Sequence, residues 1–210
     1  MKLCFVWFLL FSVLYGCGTE SLEADAVRKT FTDYKDAVVA ADGAAAVRLI
    51  TQRTVDEYQK YTDWARTANR TTLDSLSAFS KIQVLLIKHR LPNEKLLALH
   101  GETVFSYAVD QGWVGEETVM ATTIDDIQVS GDSATARVHI DNKKTPNRYR
   151  FSRESGAWKF DLLQTMQAAD QVLASQIEQT GLSENDFILR MLEGVSGRKP
   201  TETISEPLKP

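Results

Sequence analysis

The chain has 210 residues, 43% of them hydrophobic and 25% charged. About 170 residues remain once a leader and a polar tail are set aside, ample for one hydrophobic core. Twenty-eight acidic residues against 24 Lys and Arg leave a net charge of −4, with both signs interspersed and no basic run, so nucleic-acid binding is not expected. Both cysteines, Cys4 and Cys17, lie close to the start of the chain, which leaves the globular part without a thiol for a disulfide, a thiolate metal site or a cysteine nucleophile.

Residues 3–14 form an apolar run behind Lys2; at about a dozen residues it is shorter than the ~20 a bilayer-spanning helix needs. It reads as a signal peptide over residues 1–16. Leu14-Tyr15-Gly16-Cys17 resembles the processing site of bacterial lipoproteins, in which a small residue precedes a cysteine that becomes the new N-terminus and carries a diacylglyceryl group. Leu14 and Gly16 match that pattern, whereas Tyr15 stands where a smaller residue is commoner. The resemblance implies Cys17 as the lipidation site, palmitate-type acylation, a membrane-anchored place in the cell envelope and, because residue 18 is not Asp, sorting to the outer membrane where the organism has two. An ordinary cleaved signal and an uncleaved anchor are the alternatives. Two or more acyl chains hold a protein stably, at about 0.8 kcal/mol per buried methylene.

After an expected linker over 17–22, one domain is expected over 23–193. Val27, Phe31, Tyr34 and Val38 recur at four, three and four residues and fall on one face of a helix. Asp42-Gly43 ends it: glycine suits the left-handed position beyond a helix end, and Asp42 can cap the short piece over 44–50. A third helix is predicted over about 54–68. Thr72 is the predicted cap of a fourth, with Leu73, Leu76, Phe79, Ile82 and Leu86 on its apolar side, closed before Pro92. Asn93 is the predicted cap of the next, through Leu96, Val104 and Phe105 toward Gly112, broken or bent at Gly101.

The period then changes from three and four to two. A strand is predicted over 119–129, with a bulge or bend at Ile124–Ile127 where alternation fails. Ala134, Ala136, Val138 and Ile140 alternate with polar residues in a second. Tyr149 and Phe151 mark a third after a turn over 143–147; Trp158, Phe160 and Leu162 mark a fourth after Ser155-Gly156. Helices first and an antiparallel meander later argue for α+β: N-terminal helices packed on a curved four-stranded antiparallel meander, followed by C-terminal helices. The latter carry Leu163, Met166, Asp170, Leu173 and Ile177 up to Gly181, then Phe187, Ile188, Met191 and Leu192 behind a Ser183 or Asp186 cap. Residues 194–210 are polar and Pro-containing, the composition of a disordered tail.

Two segments, Ala37–Leu49 and Asp132–Val138 with Glu154–Leu162, resemble the nuclear transport factor 2-like family, a cystatin-like α+β cone in which a long first helix and its partners fill the concave side of a curved sheet. The helical region from Thr54 to Gly112 and the helices after the last strand are additions to that pattern, placed to close the mouth of the cone. Enzymes of the superfamily set an Asp or His beside one or two Tyr inside an apolar cone, so that a carboxylate removes a proton and a phenol steadies the oxyanion. The resemblance makes Asp56, Tyr58 and Tyr61 the catalytic candidates, with Tyr34 or Tyr107 nearby. The competing role for Tyr58, Tyr61 and Trp64 is to pack their helix onto its neighbours.

His89, His100 and His139 have no helical ligand spacing, so no metal or cofactor is expected. Glu116-Glu117 and Asp125-Asp126 point to opposite strand faces and read as solvated surface, and Gly194-Val195-Ser196-Gly197 lacks the spacing of a nucleophile elbow. The expectation is therefore a lipid-anchored envelope protein acting as a non-catalytic binding or interaction module, partnered by the membrane and by a protein or a small apolar ligand. An isomerase- or dehydratase-type enzyme and an immunity-like protein that neutralises a basic toxin with an acidic patch are the alternatives.

Overall fold

The computed structural model describes residues 17–114 and 116–208; the signal peptide expected over 1–16 lies outside them. Among the described residues eight helices precede the sheet: α1 (Cys17–Val39), α2 (Gly43–Val47), α3 (Gln52–Thr67), α4 (Arg70–Asp74), α5 (Ala78–Arg90), α6 (Asn93–Ala98), α7 (Gly101–Asp110) and α8 (Glu116–Ala121). Strands β1 (Thr122–Ser130), β2 (Ser133–Ile140), β3 (Lys143–Glu154) and β4 (Ala157–Asp161) follow, then α9 (Leu163–Thr180) and α10 (Glu184–Ser196). The sheet is an antiparallel meander in the order β1-β2-β3-β4, the α+β class expected from the switch of period.

The expected stripe on α1 is the face that meets the sheet: Val27, Phe31, Tyr34, Ala37 and Val38 are all buried. Register places Ala134 opposite Phe151 and Phe151 opposite Phe160, with Ala136 opposite Tyr149. Small residues on β2 thus leave room for the rings of β3 and β4 to pack under Phe31. The β4 edge is covered by the chain entering α3, where Thr51 N–H donates to Phe160 O (3.0 Å) and Phe160 N–H to Leu49 O (2.7 Å). The bulge falls where alternation failed, between Asp125 and Gln128, with Asp126 at φ 43°.

The helices between Thr54 and Gly112 do more than cover the sheet. With α9 and α10 they enclose a second core around Tyr61, Leu85, Leu96, Val104, Ile188 and Leu192. α7 is shared, giving Phe105 to the sheet-side core and Val104 to the helical one. Close approach at this seam needs glycine: a Cβ on Gly43 would lie 2.0 Å from Ser106 O, and one on Gly101 2.5 Å from Val55 O.

Several boundaries differ from expectation, each for a local reason. The helix expected behind Thr72 is two helices, capped by Asn69 and Ser77 side chains that accept from Thr72 N–H and Ser80 N–H. Residues 119–121 belong to α8, and β1 starts at Thr122. The β2–β3 turn is Asp141-Asn142, both at positive φ, so β3 begins at Lys143 and absorbs the irregularity through a register shift after Arg137. Helix α1 runs from Cys17, where a linker over 17–22 was expected; Glu23 ties its first part to the sheet through Arg153 and Trp158. The tail expected to be disordered from Gly194 is laid back on the helices by a left-handed turn at Gly197. Ile204 is buried there and Leu208 N–H donates to Arg66 O (2.8 Å); two apolar anchors are invisible to a composition averaged over the segment.

Candidate functional site

Helix α3 carries all three catalytic candidates, and its geometry separates them. Residues two apart point to different sides of a helix. Asp56 is exposed and accepts from Gln52 Nε2 (2.9 Å), a contact along the outer face of its own helix. Tyr58 turns inward between the two cores, edge-on to Phe105 and Tyr61 with centroids 5.1 and 5.8 Å away. Burial holds its hydroxyl well above the ordinary phenol range, with Tyr61 adding to the effect. The Asp56 and Tyr58 side chains are therefore not brought together. Tyr34, the other phenol nominated, packs edge-on against Phe160 in the sheet-side core, and Tyr107 stacks edge-on against Trp113.

Tyr61 does line a cleft, about 180 Å³ in volume, between α3, α5 and α9 with Glu57, Ser80, Met166 and Asp170. Glu57 sits one turn before Tyr61 and was not anticipated. Its signal in the sequence is the i, i+4 spacing, which the pair Asp56 and Tyr58 lacks. Burial pushes the Tyr61 hydroxyl up to about 12, Ser80 drawing it back slightly, and that hydroxyl donates to Met166 Sδ (3.8 Å). Both carboxylates are occupied: Glu57 pairs with Lys60 (2.8 Å), and Asp170 accepts from Phe79 N–H (2.9 Å) at the start of α5. The cleft thus fastens α9 to α3 through Tyr61 and Met166 and to α5 through Asp170 and Phe79, while Glu57 pairs within its own helix.

The space the cone would offer is filled. Phe31, Tyr34, Tyr149, Phe151 and Phe160 stack and cross between α1 and the sheet with centroids 4.9–6.5 Å apart.

Two histidines have acquired partners. His89 Nε2 lies 2.7 Å from Ser196 Oγ, the spacing of a base and a nucleophile. That serine, however, stands at the carbonyl end of α10 and donates to Leu192 O (2.7 Å), where a developing oxyanion is disfavoured. No carboxylate orients His89 among the described residues; burial and Arg198 hold its pKa below the ordinary value. His139 points outward as expected, 3.0 Å from Asp125, while His100 precedes α7 and donates its backbone N–H to Thr103 Oγ1 (2.9 Å). Among the described residues no group of three or more His, Cys, Asp or Glu could hold a metal, and no helix is long and apolar enough to cross a membrane. The α8 helix holds Glu116, so Glu116-Glu117 is not a strand pair. The side chain of Cys17 is outside the described residues.

The outer face of the sheet gathers what the sequence disperses. Four cations, Arg137, Lys144, Arg148 and Arg150, share it with Asp125 and Asp126 of β1, while Arg153 turns to the α1 side and contacts Glu23. Register puts Arg137 beside Arg148, His139 beside Lys144, and Thr135 beside Arg150, all on the side away from α1 because Ala136, Val138 and Phe151 face the core. None of these outer residues is buried. Asp126, raised by the bulge, pairs with Arg148 (2.8 Å) and lies 3.5 Å from Arg137. Arg148 holds the Asp126 carboxyl below the ordinary carboxylate range. Lys144 and Arg150 keep no ion pair or hydrogen bond among the described residues. No contiguous basic run exists because a strand alternates its faces, so cations at 144, 148 and 150 converge only once the register with β2 is formed.

Comparison with known proteins finds no matching family model, no matching curated protein and no matching solved structure.

Proposed function

We propose that this is a lipid-anchored protein of a bacterial cell envelope, moored through Cys17, that works as a non-catalytic interaction module built on a cone-like domain of the nuclear transport factor 2-like type. The anchor rests on the apolar run and the Leu14–Cys17 pattern; where the organism has two membranes, the outer one is its place. The observation that carries the non-catalytic part is the closed aromatic packing between α1 and the sheet. A chamber for a small apolar ligand requires space there, and the rings of Phe31, Tyr34 and Phe160 occupy it. The separation of Asp56 from Tyr58 adds support. With its interior full, the molecule meets partners through its surface, and a protein fits that role better than a small apolar ligand.

Mass spectrometry of the full chain purified from membranes tests the anchor: the expected species begins at Cys17 with a diacylglyceryl group, and Cys17→Ser abolishes it. Recovery of an intact leader, or of the chain dissolved in the cytosol, overturns the reading. A small apolar compound that binds stoichiometrically and loses affinity in Phe31→Trp, which adds bulk to the same space, overturns the filled-interior argument.

A further inference from the structure

We propose that the outer face of the sheet is a docking surface for an acidic surface patch on a partner protein, with Lys144, Arg148, Arg150 and Arg137 as its contact residues. This deepens the interaction-module reading and rests on it. Charge complementarity carries the argument. The outer face of β2 and β3 carries Arg137, Lys144, Arg148 and Arg150 against Asp125 and Asp126 of β1, in a chain whose net charge is negative, and the cations stand on adjacent strands about 4.8 Å apart. Like charges set side by side on β2 and β3, as Arg137 and Arg148 are, repel one another. Asp126 relieves part of that repulsion; Lys144 and Arg150 form no ion pair among the described residues, since Asp161, opposite Arg150 in register, is buried and pairs with Arg53. An acidic partner supplies their counter-charge. Guanidinium groups favour carboxylates, which they meet with two parallel hydrogen bonds.

Helix α1 selects a protein over a lipid surface as the occupant. Glu23, near its start, contacts Arg153 and accepts from Trp158 Nε1 (2.7 Å) beside the β3–β4 turn. Lys35 reaches Thr122 O (2.5 Å) at the start of β1, about 18 Å further along the helix. Cys17 therefore lies beyond one end of the sheet, and the outer face looks sideways from that axis. A bilayer that holds Cys17 meets the sheet at its end, leaving the cationic face open to a neighbouring protein.

The test uses the full chain in phosphatidylcholine nanodiscs and a fluorescein-labelled Glu-rich peptide as probe, read by anisotropy, with a Lys-rich peptide as the negative control. The expected result is saturable binding of the acidic peptide that weakens as salt is raised. In Lys144→Glu/Arg150→Glu the affinity falls by about tenfold or more, as expected when a like charge is set against the partner. Lys144→Ala/Arg150→Ala falls between that variant and the parent. The charge-matched Arg70→Glu/Lys199→Glu, on α4 and the tail, binds as the parent does. These substitutions touch exposed side chains, so thermal unfolding should be unchanged and confirms that each variant is folded. Absence of peptide binding, or equal losses in the outer-face and control variants, overturns the proposal. So does tighter binding to phosphatidylglycerol vesicles than to the peptide with the same residue dependence, which makes the occupant a membrane. Cys17→Ser separates the two readings: peptide binding persists without the acyl group if this surface is right, whatever becomes of the anchor.

Discussion

On the sheet side of the molecule the core is centred on rings: Phe160 has four aromatic neighbours, Phe31, Tyr34, Tyr149 and Phe151, with centroids 4.9–5.5 Å away. The helical side is mostly aliphatic, around Leu85, Leu96, Ile188 and Leu192, and it carries charge inside. Lys81 on α5 is buried yet held by Asp74 (3.1 Å) and Glu184 (2.6 Å), which ties α4 and α10 to α5. Asp170 on α9 caps the start of the same helix. Strand register fixes which rings meet in the first core. Loosely specified helix pairs in the second are fixed by polar clasps.

That difference is broken most directly by removing its largest pieces. Phe160→Ala should lower stability by about 4 kcal/mol, because the transfer loss is joined by a cavity the surrounding rings cannot close. Leu192→Ala, fully buried among aliphatic neighbours, should cost about 3 kcal/mol, since flexible side chains relax into the space. Urea denaturation measures both. A larger loss at Leu192 would show that ring packing is not the tighter of the two.

The seam between the halves is sharpened by Gly101→Ala. A Cβ there would meet Val55 O at 2.5 Å and Gln59 N at 2.6 Å, so α3 and α7 must separate, at a cost of about 2 kcal/mol. Gly131→Ala, in the β1–β2 turn at φ 58° with open space around it, should cost about 1 kcal/mol through its backbone alone. Equal effects would mean that α7 does not bind the two cores together.

Acid separates the halves by charge. The hydrogen bond from Lys81 holds the Asp74 carboxyl below its ordinary value. A group depressed in this way stabilises the fold above the ordinary carboxylate range and loses that effect as pH falls through its folded pKa. Lys81→Met keeps the volume and removes the charge, so the stability of the variant should fall less steeply than that of the parent on acidification below about pH 4. Phe160→Leu should leave that acid limb unchanged. A Lys81→Met profile parallel to the parent's would sink the clasp.

How much of this was legible in the sequence follows the same division. The α1 stripe, the bulge near Asp126 and the meander could be read because period and turn chemistry act within a few residues. The clasps could not: Lys81 to Glu184 and Asp170 to Phe79 span about a hundred residues, and a buried lysine has the same letter as a solvated one. The cationic outer face failed for another reason, since its residues alternate with core residues along each strand and assemble only across strands. Asp56 is a candidate through the family resemblance alone, but a helix turns residues at i and i+2, such as Asp56 and Tyr58, apart; the residue that does reach Tyr61 is Glu57, one turn away. The anchored tail escaped because Ile204 and Leu208 are few among polar residues.

The smallest effects test whether the polar cleft is held by its carboxylate or by its phenol. Asp170→Ala leaves Phe79 N–H without its acceptor at the positive end of α5, and loss of such a cap costs about 1 kcal/mol. Tyr61→Phe removes a hydroxyl whose partners are the weak acceptor Met166 Sδ at 3.8 Å and the half-buried Glu57 and Ser80, and it keeps the ring that packs against Tyr58; about 0.5 kcal/mol is expected. Thermal melts of both single variants and of the double variant decide the matter. If the cleft is a clasp, the Asp170 loss exceeds the Tyr61 loss and the two nearly add, because Asp170 acts through the α5 backbone and the phenol does not. A larger loss at Tyr61, or strong coupling between the two, would mean that the phenol and carboxylate work as one unit, and the helical side would then hold a tuned site in place of a fastening.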